Sequence, residues 1–395
     1  MNPSASGWIN KFGHTLSGDI SPYTTYKGLY HALLEHGFIY GIHLSVPSFI
    51  QAEHPFTEDE VAKTNLLTAL YFSYVFETGN EDFNTFVETV FEYYTSLEVG
   101  KISFLNKILS GKKTEAQLEK LLDSRIYLNG SAFSRAFGNS LTNSLLYVDI
   151  LIFRRYLQGH WSLKAHAQLL EYVTINIGYQ ALNAKDTDKS DAKLMQLLAA
   201  SLTFVDLNQA HFEESPTQLL RKYFNSCEQD YLMDIACLTV WEDGTVEGPE
   251  LDFIHEIGMA LRKDELEVKT ALENVIQFFE KNKENIPYLK DANLASKFYE
   301  GMTKNVSKLI LRNSKRLKKE LLESRELMSL LTKSATQDLT PDERKKIQQQ
   351  LLDIFKTIPS LAIFMLPGGA VLLPIFIKLI PKLLPSAFDD NRVEE

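Results

Sequence analysis

Residues 357–388, TIPSLAIFMLPGGAVLLPIFIKLIPKLLPSAF, constrain this chain more than any other stretch. Twenty-one consecutive residues, Thr357 to Ile377, carry no charge, about the length a helix needs to cross a hydrocarbon core. The run is broken by Pro359, Pro367 and Pro374 and by the pair Gly368-Gly369. Proline removes a backbone donor and clashes with the turn before it, so two or three short apolar helices are expected rather than one clean span. Such a hairpin has two fates. It can enter a membrane, where broken helices need special satisfaction of their backbone groups, or it can bury itself against helical domains of its own chain. We adopt the first as the expectation: residues 357–395 form a membrane-associated segment and a C-terminal anchor on the cytoplasmic side of the inner membrane. Its defining residues are Pro359, Pro367, Gly368, Gly369, Pro374, Lys378, Pro381, Lys382 and Pro385. Lys378 and Lys382 stand where long side chains can snorkel to the interface. A membrane lipid or a membrane protein is the partner this implies.

Elsewhere apolar residues recur at three- and four-residue spacing and period-two alternation is scarce, which predicts an all-α chain. Residues 1–183 read as an N-terminal helical domain rich in Phe and Tyr, with helices over Leu66–Phe76 and Phe83–Tyr94 separated by a turn at Thr78-Gly79-Asn80. Further helices are expected over Ser140–Leu157 and Leu163–Leu182. The polar stretch Ala184–Lys193 marks a boundary, and residues 194–290 form a second helical domain. Residues 291–356 are a basic helical connector, read as one long helix over Asp291–Thr332. A second helix in it starts at Thr340, with Pro341 in its first turn and Glu343 closing a capping box.

The connector's charge is unusual for its chain. The protein has 41 Lys and Arg against 51 Asp and Glu, a net charge of −10, which argues against DNA and general nucleic-acid binding. Yet between Thr303 and Lys319 there are seven basic residues and no acid: Lys304, Lys308, Arg312, Lys315, Arg316, Lys318 and Lys319. Arg344, Lys345 and Lys346 add a second cluster. Such runs are commonly solvated helix faces. They also suit anionic lipid headgroups or ribosomal RNA phosphates, and the residues do not separate these two.

No catalytic constellation emerges. There is no Gly-x-Ser-x-Gly elbow, phosphate loop or dinucleotide fingerprint, and a non-enzymatic protein without a cofactor is expected. Cys227 and Cys237 have neither disulfide-framework nor metal spacing. His31, His36, His43 and His54 form a loose group that lacks the ligand spacing of a metal site. Glu242, Asp243, Glu247 and Glu250 crowd one turn. Asp243, Glu247 and Glu250 are the weak metal candidates there, against the plainer reading of helix capping and a solvated acidic turn.

Two resemblances follow from these motifs. The helix Tyr231–Trp241, the turn Glu242-Asp243-Gly244, the helix Leu251–Leu261 and the next start at Lys263-Asp264-Glu265 resemble the TerB-like helical fold of tellurite-resistance proteins. The tail resembles the LETM family of leucine-zipper and EF-hand transmembrane proteins. The match rests on Leu351–Phe355 entering Ile358-Pro359, on Pro367, Leu372-Leu373-Pro374, Lys378 and Ile380-Pro381, and on the ending Leu383–Phe388. The chain is also similar to the bacterial LETM-related group labelled biofilm-associated. The LETM resemblance implies inner-membrane location, cation/proton exchange and ribosome binding. Two departures stand against carrying all of this over. Ala370 occupies the place where the family usually has a carboxylate, and the zipper, calcium loops and large ribosome-binding region expected after Phe388 have no counterpart. The resulting expectation is a membrane-associated scaffold or accessory protein related to the envelope or biofilm. A cation transport component acting as a homo-oligomer and a ribosome-associated factor are the alternatives.

Overall fold

The computed structural model describes residues 1–16, 22–97, 114–126, 144–184, 189–204, 216–241, 246, 248–286, 294–334, 337, 339–358, 361, 364–365 and 369–385. Among them the chain forms 17 α-helices and no strand, the all-α fold that the spacing predicts.

The N-terminal layer comprises α1 (Trp8–Thr15), α2 (Tyr26–Glu35), α3 (Glu58–Thr78), α4 (Phe83–Ser96), α5 (Glu115–Ile126) and α6 (Leu146–Leu157). Helix α3 opens on a capping box: the Glu60 amide donates to the Thr57 hydroxyl, and the Thr57 amide donates to the Glu60 carboxylate at 2.8 Å. It stops at Gly79, where φ is 69°, a conformation that glycine adopts without a Cβ penalty. Helix α3 packs along α6. Beside that seam Asp149 of α6 is clasped by Arg125 of α5, with Nε and a terminal nitrogen donating at 2.6 and 3.1 Å.

Between α2 and α3 the seven residues Gly37–His43 are all buried, although none is helical. Gly37 has φ 76° and Gly41 φ 67°. A Cβ on Gly37 would stand 1.9 Å from the Ile42 carbonyl oxygen, so only glycine fits that reversal. The loop pushes Tyr40 against Phe278 of the next layer, ring centroids 4.9 Å apart.

That layer holds α7 (Leu163–Ala184), α8 (Lys189–Leu202), α9 (Pro216–Tyr223), α10 (Ser226–Val240), α11 (Gly248–Ala260) and α12 (Glu265–Asn282). Helix α7 is its centre and touches α6, α8 and α10. Glu228 of α10 accepts from Arg155 of α6 at 2.5 and 2.6 Å and lies 2.8 Å from His166 of α7. Burial alone would raise the Glu228 carboxyl, but its hydrogen bonds to Arg155 and His166 outweigh that and hold it at about 2. Three helices are thereby tied to one carboxylate.

The third layer is α13 (Leu294–Arg312), α14 (Ser314–Leu322), α15 (Arg325–Ser334), α16 (Pro341–Thr357), a 3-10 turn at Gly369–Leu372 and α17 (Leu373–Leu383). The single long helix expected over 291–332 is therefore three helices. The Asn313 side chain donates to the Leu309 carbonyl at 2.7 Å and closes the end of α13. Ser324 accepts from the Leu327 amide at 3.2 Å and opens α15. Short polar side chains compete with the helical backbone in this way, and periodicity does not register it. Helix α16 begins with the capping box expected at Thr340 and Glu343.

The expected C-terminal anchor is overturned. Among the described residues no helix is long and apolar enough to cross a membrane. Helix α17 has 11 residues, roughly half the 20 or so that a span requires. Its apolar side chains Ile375, Phe376, Ile377 and Ile380 are buried because α13 and α15 cover them and α8 covers the 3-10 turn. Phe355, Phe364 and Phe376 form a ring triangle with centroids 4.7, 5.0 and 4.8 Å apart. The 3-10 turn is latched to the middle layer by polar contacts: the Ala370 amide donates to Glu171 of α7 and Ser201 of α8 donates to the Val371 carbonyl, both at 3.4 Å. An uncharged run says only that its residues leave water. The buried ones among the described residues leave it for a core cluster that also holds residues of the first two layers, from Met1 onward.

Candidate basic binding surface

Burying one face of a helix fixes what the other face shows. On α13, Met302, Val306, Leu309 and Ile310 point into the core. Lys304, Lys308 and Arg312, four residues apart, therefore form one exposed stripe. On α14, Leu317 and Leu321 are buried, Lys315, Arg316 and Lys319 are exposed and Lys318 is half-buried. Lys315, Arg316 and Lys319 make no ion pair with a described residue. All seven basic residues named in the connector thus share two consecutive helices. Residues 294–385 hold 16 Lys and Arg against 8 Asp and Glu, so a chain of net −10 carries a strongly positive third layer.

Lys378 and Lys382 are exposed on α17. Lys378 donates to the Tyr299 hydroxyl at 3.3 Å and stands 5.8 Å from the Tyr299 ring centroid, which places it beside α13. It extends the basic surface instead of snorkelling. The cluster at Arg344, Lys345 and Lys346 is different, because Lys346 is paired with Glu326 at 2.9 Å and the neighbouring Glu343 with Lys333 at 2.6 Å. Those pairs consume charge of a kind that Lys315, Arg316 and Lys319 leave available.

The other expected site residues are dispersed. Pro359, Pro367, Gly368, Asp243 and Glu247 lie outside the described residues. Gly369 is buried in the 3-10 turn, Pro374 and Pro381 are half-buried along α17, and Pro385 is exposed. Glu250 is buried in the first turn of α11. No group of three or more His, Cys, Asp or Glu able to hold a metal occurs among the described residues. His36 bonds Ser45 at 2.8 Å, His54 lies 3.4 Å from Glu60, His31 is exposed and His43 is buried in the Gly37–His43 loop.

One group escaped the sequence reading. Asp234 of α10 is buried, and Tyr30 of α2 donates to its carboxylate at 2.5 Å. Burial raises its pKa to about 7, with Asp230 adding to the rise and the Tyr30 hydrogen bond and Lys263 opposing it. The signal was a lone acid inside the apolar run YLMDIACLTV. A carboxyl whose folded pKa lies above its unfolded one stabilises most below the unfolded value of about 4 and loses that contribution as pH rises through 7. Asp234→Asn is expected to flatten this loss, worth on the order of a few kcal/mol. Urea midpoints of both proteins at pH 5 and pH 8 check it; equal pH dependence would show that Asp234 does not titrate in this window.

Comparison with known proteins bears on the same end of the chain. The family model described as "LETM1-like, RBD" matches residues 339–395. The mitochondrial LETM1 domain-containing protein mdm28 of Schizosaccharomyces pombe is 38% identical over 58 residues, which is 15% of this chain and 12% of the yeast protein. The chain thus matches only a small part of that relative's length. No solved structure matches. The matched residues take in α16, which packs on α15, the 3-10 turn, which packs on α8, and α17, which packs on α13 under the basic surface. The likeness to LETM1-like proteins is confined to this C-terminal segment, residues 339–395.

Proposed function

We propose that this chain is a non-enzymatic accessory protein that docks on ribosomal RNA through the basic face of α13 and α14. The observation that carries the reading is the separation of charge: Lys315, Arg316 and Lys319 are exposed on one short helix whose Leu317 and Leu321 are buried in the core. Phosphate oxygens are the chemistry such a face selects, since contacts to the backbone need charge and reach rather than a shaped pocket. The LETM resemblance, which implies ribosome binding, points the same way. The acidic layers before residue 294 do not meet the RNA and serve as the body that is tethered.

Replacing Lys315, Arg316, Lys318 and Lys319 together with Glu is expected to lower affinity for purified ribosomes at least about tenfold at ~0.1 M salt and to flatten the salt dependence, because four phosphate neighbours are lost. Cosedimentation across a salt series reads both. Pelleting of the folded variant identical to that of the parent protein would refute the site.

A further inference from the structure

Six large apolar side chains are exposed among the described residues, and five of them gather on two faces. The first face lies at the corner of α11 and α12. Leu251, His255 and Met259 recur every four residues on the outer side of α11, and Leu266 opens α12. Met259 is 67% and Leu266 73% exposed. Their inner neighbours are sealed: a Cβ on Gly258 would lie 2.4 Å from the Val268 side chain, so the two helices already touch as closely as they can. Around this apolar corner stand Asp252, Glu256 and Glu265, all exposed and without an ion pair to a described residue.

The second face is on α13 and α14. Leu311 is 54% and Leu322 40% exposed, flanked by Lys315, Arg316 and Lys319. A surface made for phosphates alone has no use for two outward leucines, which gain only by leaving water against another apolar surface.

The two faces are unlike and complementary: Asp252, Glu256 and Glu265 outnumber the exposed Arg262 at the first, and Lys315, Arg316 and Lys319 outnumber the exposed Glu323 at the second. We propose that the α11–α12 face of one copy of this chain receives the α13–α14 face of a second copy, giving head-to-tail self-association. Unlike faces pair heterologously, and each added copy presents a fresh face of each kind. The contact rests on the exposed leucines and methionine and does not depend on the ribosomal reading.

Sedimentation velocity of the full chain over a concentration series tests this. At ~50 mM salt the mean mass is expected to rise with concentration, and near ~0.5 M salt to fall back, since the charged rims are screened. Met259→Lys with Leu266→Lys disables the first face, and Leu311→Glu with Lys315→Glu disables the second. All four positions are exposed, so folding is preserved, which far-UV circular dichroism verifies. Each variant alone is expected to associate at least about tenfold more weakly, the scale of losing interface anchors. An equimolar mixture of the two is expected to form a 1:1 dimer that does not grow, because one intact face of each kind remains. A parent chain that stays monomeric throughout overturns the proposal, as do variants that associate like the parent or a mixture that stays monomeric. The first variant keeps α13 and α14 intact and is expected to pellet with ribosomes like the parent, which separates failure of this contact from failure of RNA binding.

Discussion

Asp149→Ala is expected to destabilise the protein by about 3–5 kcal/mol, the cost of removing one partner of a buried ion pair. Asp149 and Arg125 have side chains 1% and 4% exposed. The same carboxylate accepts from the Tyr94 hydroxyl at 2.8 Å, and the Asp149 carbonyl accepts from Tyr93 at 2.9 Å. Truncation to alanine leaves the guanidinium without its carboxylate and the Tyr94 hydroxyl without its acceptor, in a place water does not reach. The double variant Asp149→Ala, Arg125→Met removes both charges and is expected to recover much of the loss. Urea unfolding of the parent, both single variants and the double variant closes the cycle. A single-variant cost below about 1 kcal/mol would show that the pair is solvated.

Phe376→Ala is expected to cost a similar amount, about 3–5 kcal/mol, through lost burial and the cavity it leaves. The Phe376 ring meets Phe355 and Phe364 edge-on. Phe376→Leu keeps most of the volume and is expected to cost roughly 1–2 kcal/mol. The contrast matters because the residue lies in the segment whose composition suggests a membrane. A lipid-facing phenylalanine would tolerate either change with little effect on unfolding of the protein in water. Thermal and urea unfolding in detergent-free buffer distinguish the two: equal stability of the alanine variant and the parent would mean that the segment is not part of the core.

Much of the fold is legible in the residues. Gly79 ends α3, and Thr340 and Glu343 start α16, both as local rules predict. The failures have a common cause. Asn313 and Ser324 divide the connector through hydrogen bonds of single side chains, which no apolar period reports. The loop Gly37–His43 is buried because α12 supplies Phe278 from more than two hundred residues away, and distant partners are invisible to spacing. The apolar tail is the sharpest case. Pro374 stands in the first turn of α17 while Pro381 lies inside it, but burial in lipid and burial in protein demand the same uncharged side chains, and only the positions of α8, α13 and α15 decide between them. The basic residues of α13 and α14 were legible as a cluster. That the second cluster loses charge to pairing was not, because pairing of Lys346 with Glu326 depends on α15 and α16 lying together.

Residues 373–384 lie against the core, and residues 304–319 carry the basic face proposed to meet ribosomal RNA. Amide hydrogen exchange on the full chain, in detergent-free buffer with and without purified ribosomes, tests both halves at once. Residues 373–384 are expected to exchange as slowly as α10 in either condition, and 304–319 to gain protection only when ribosomes are present. Fast exchange of 373–384 in the free protein, or 304–319 unchanged by saturating ribosomes, would contradict this expectation.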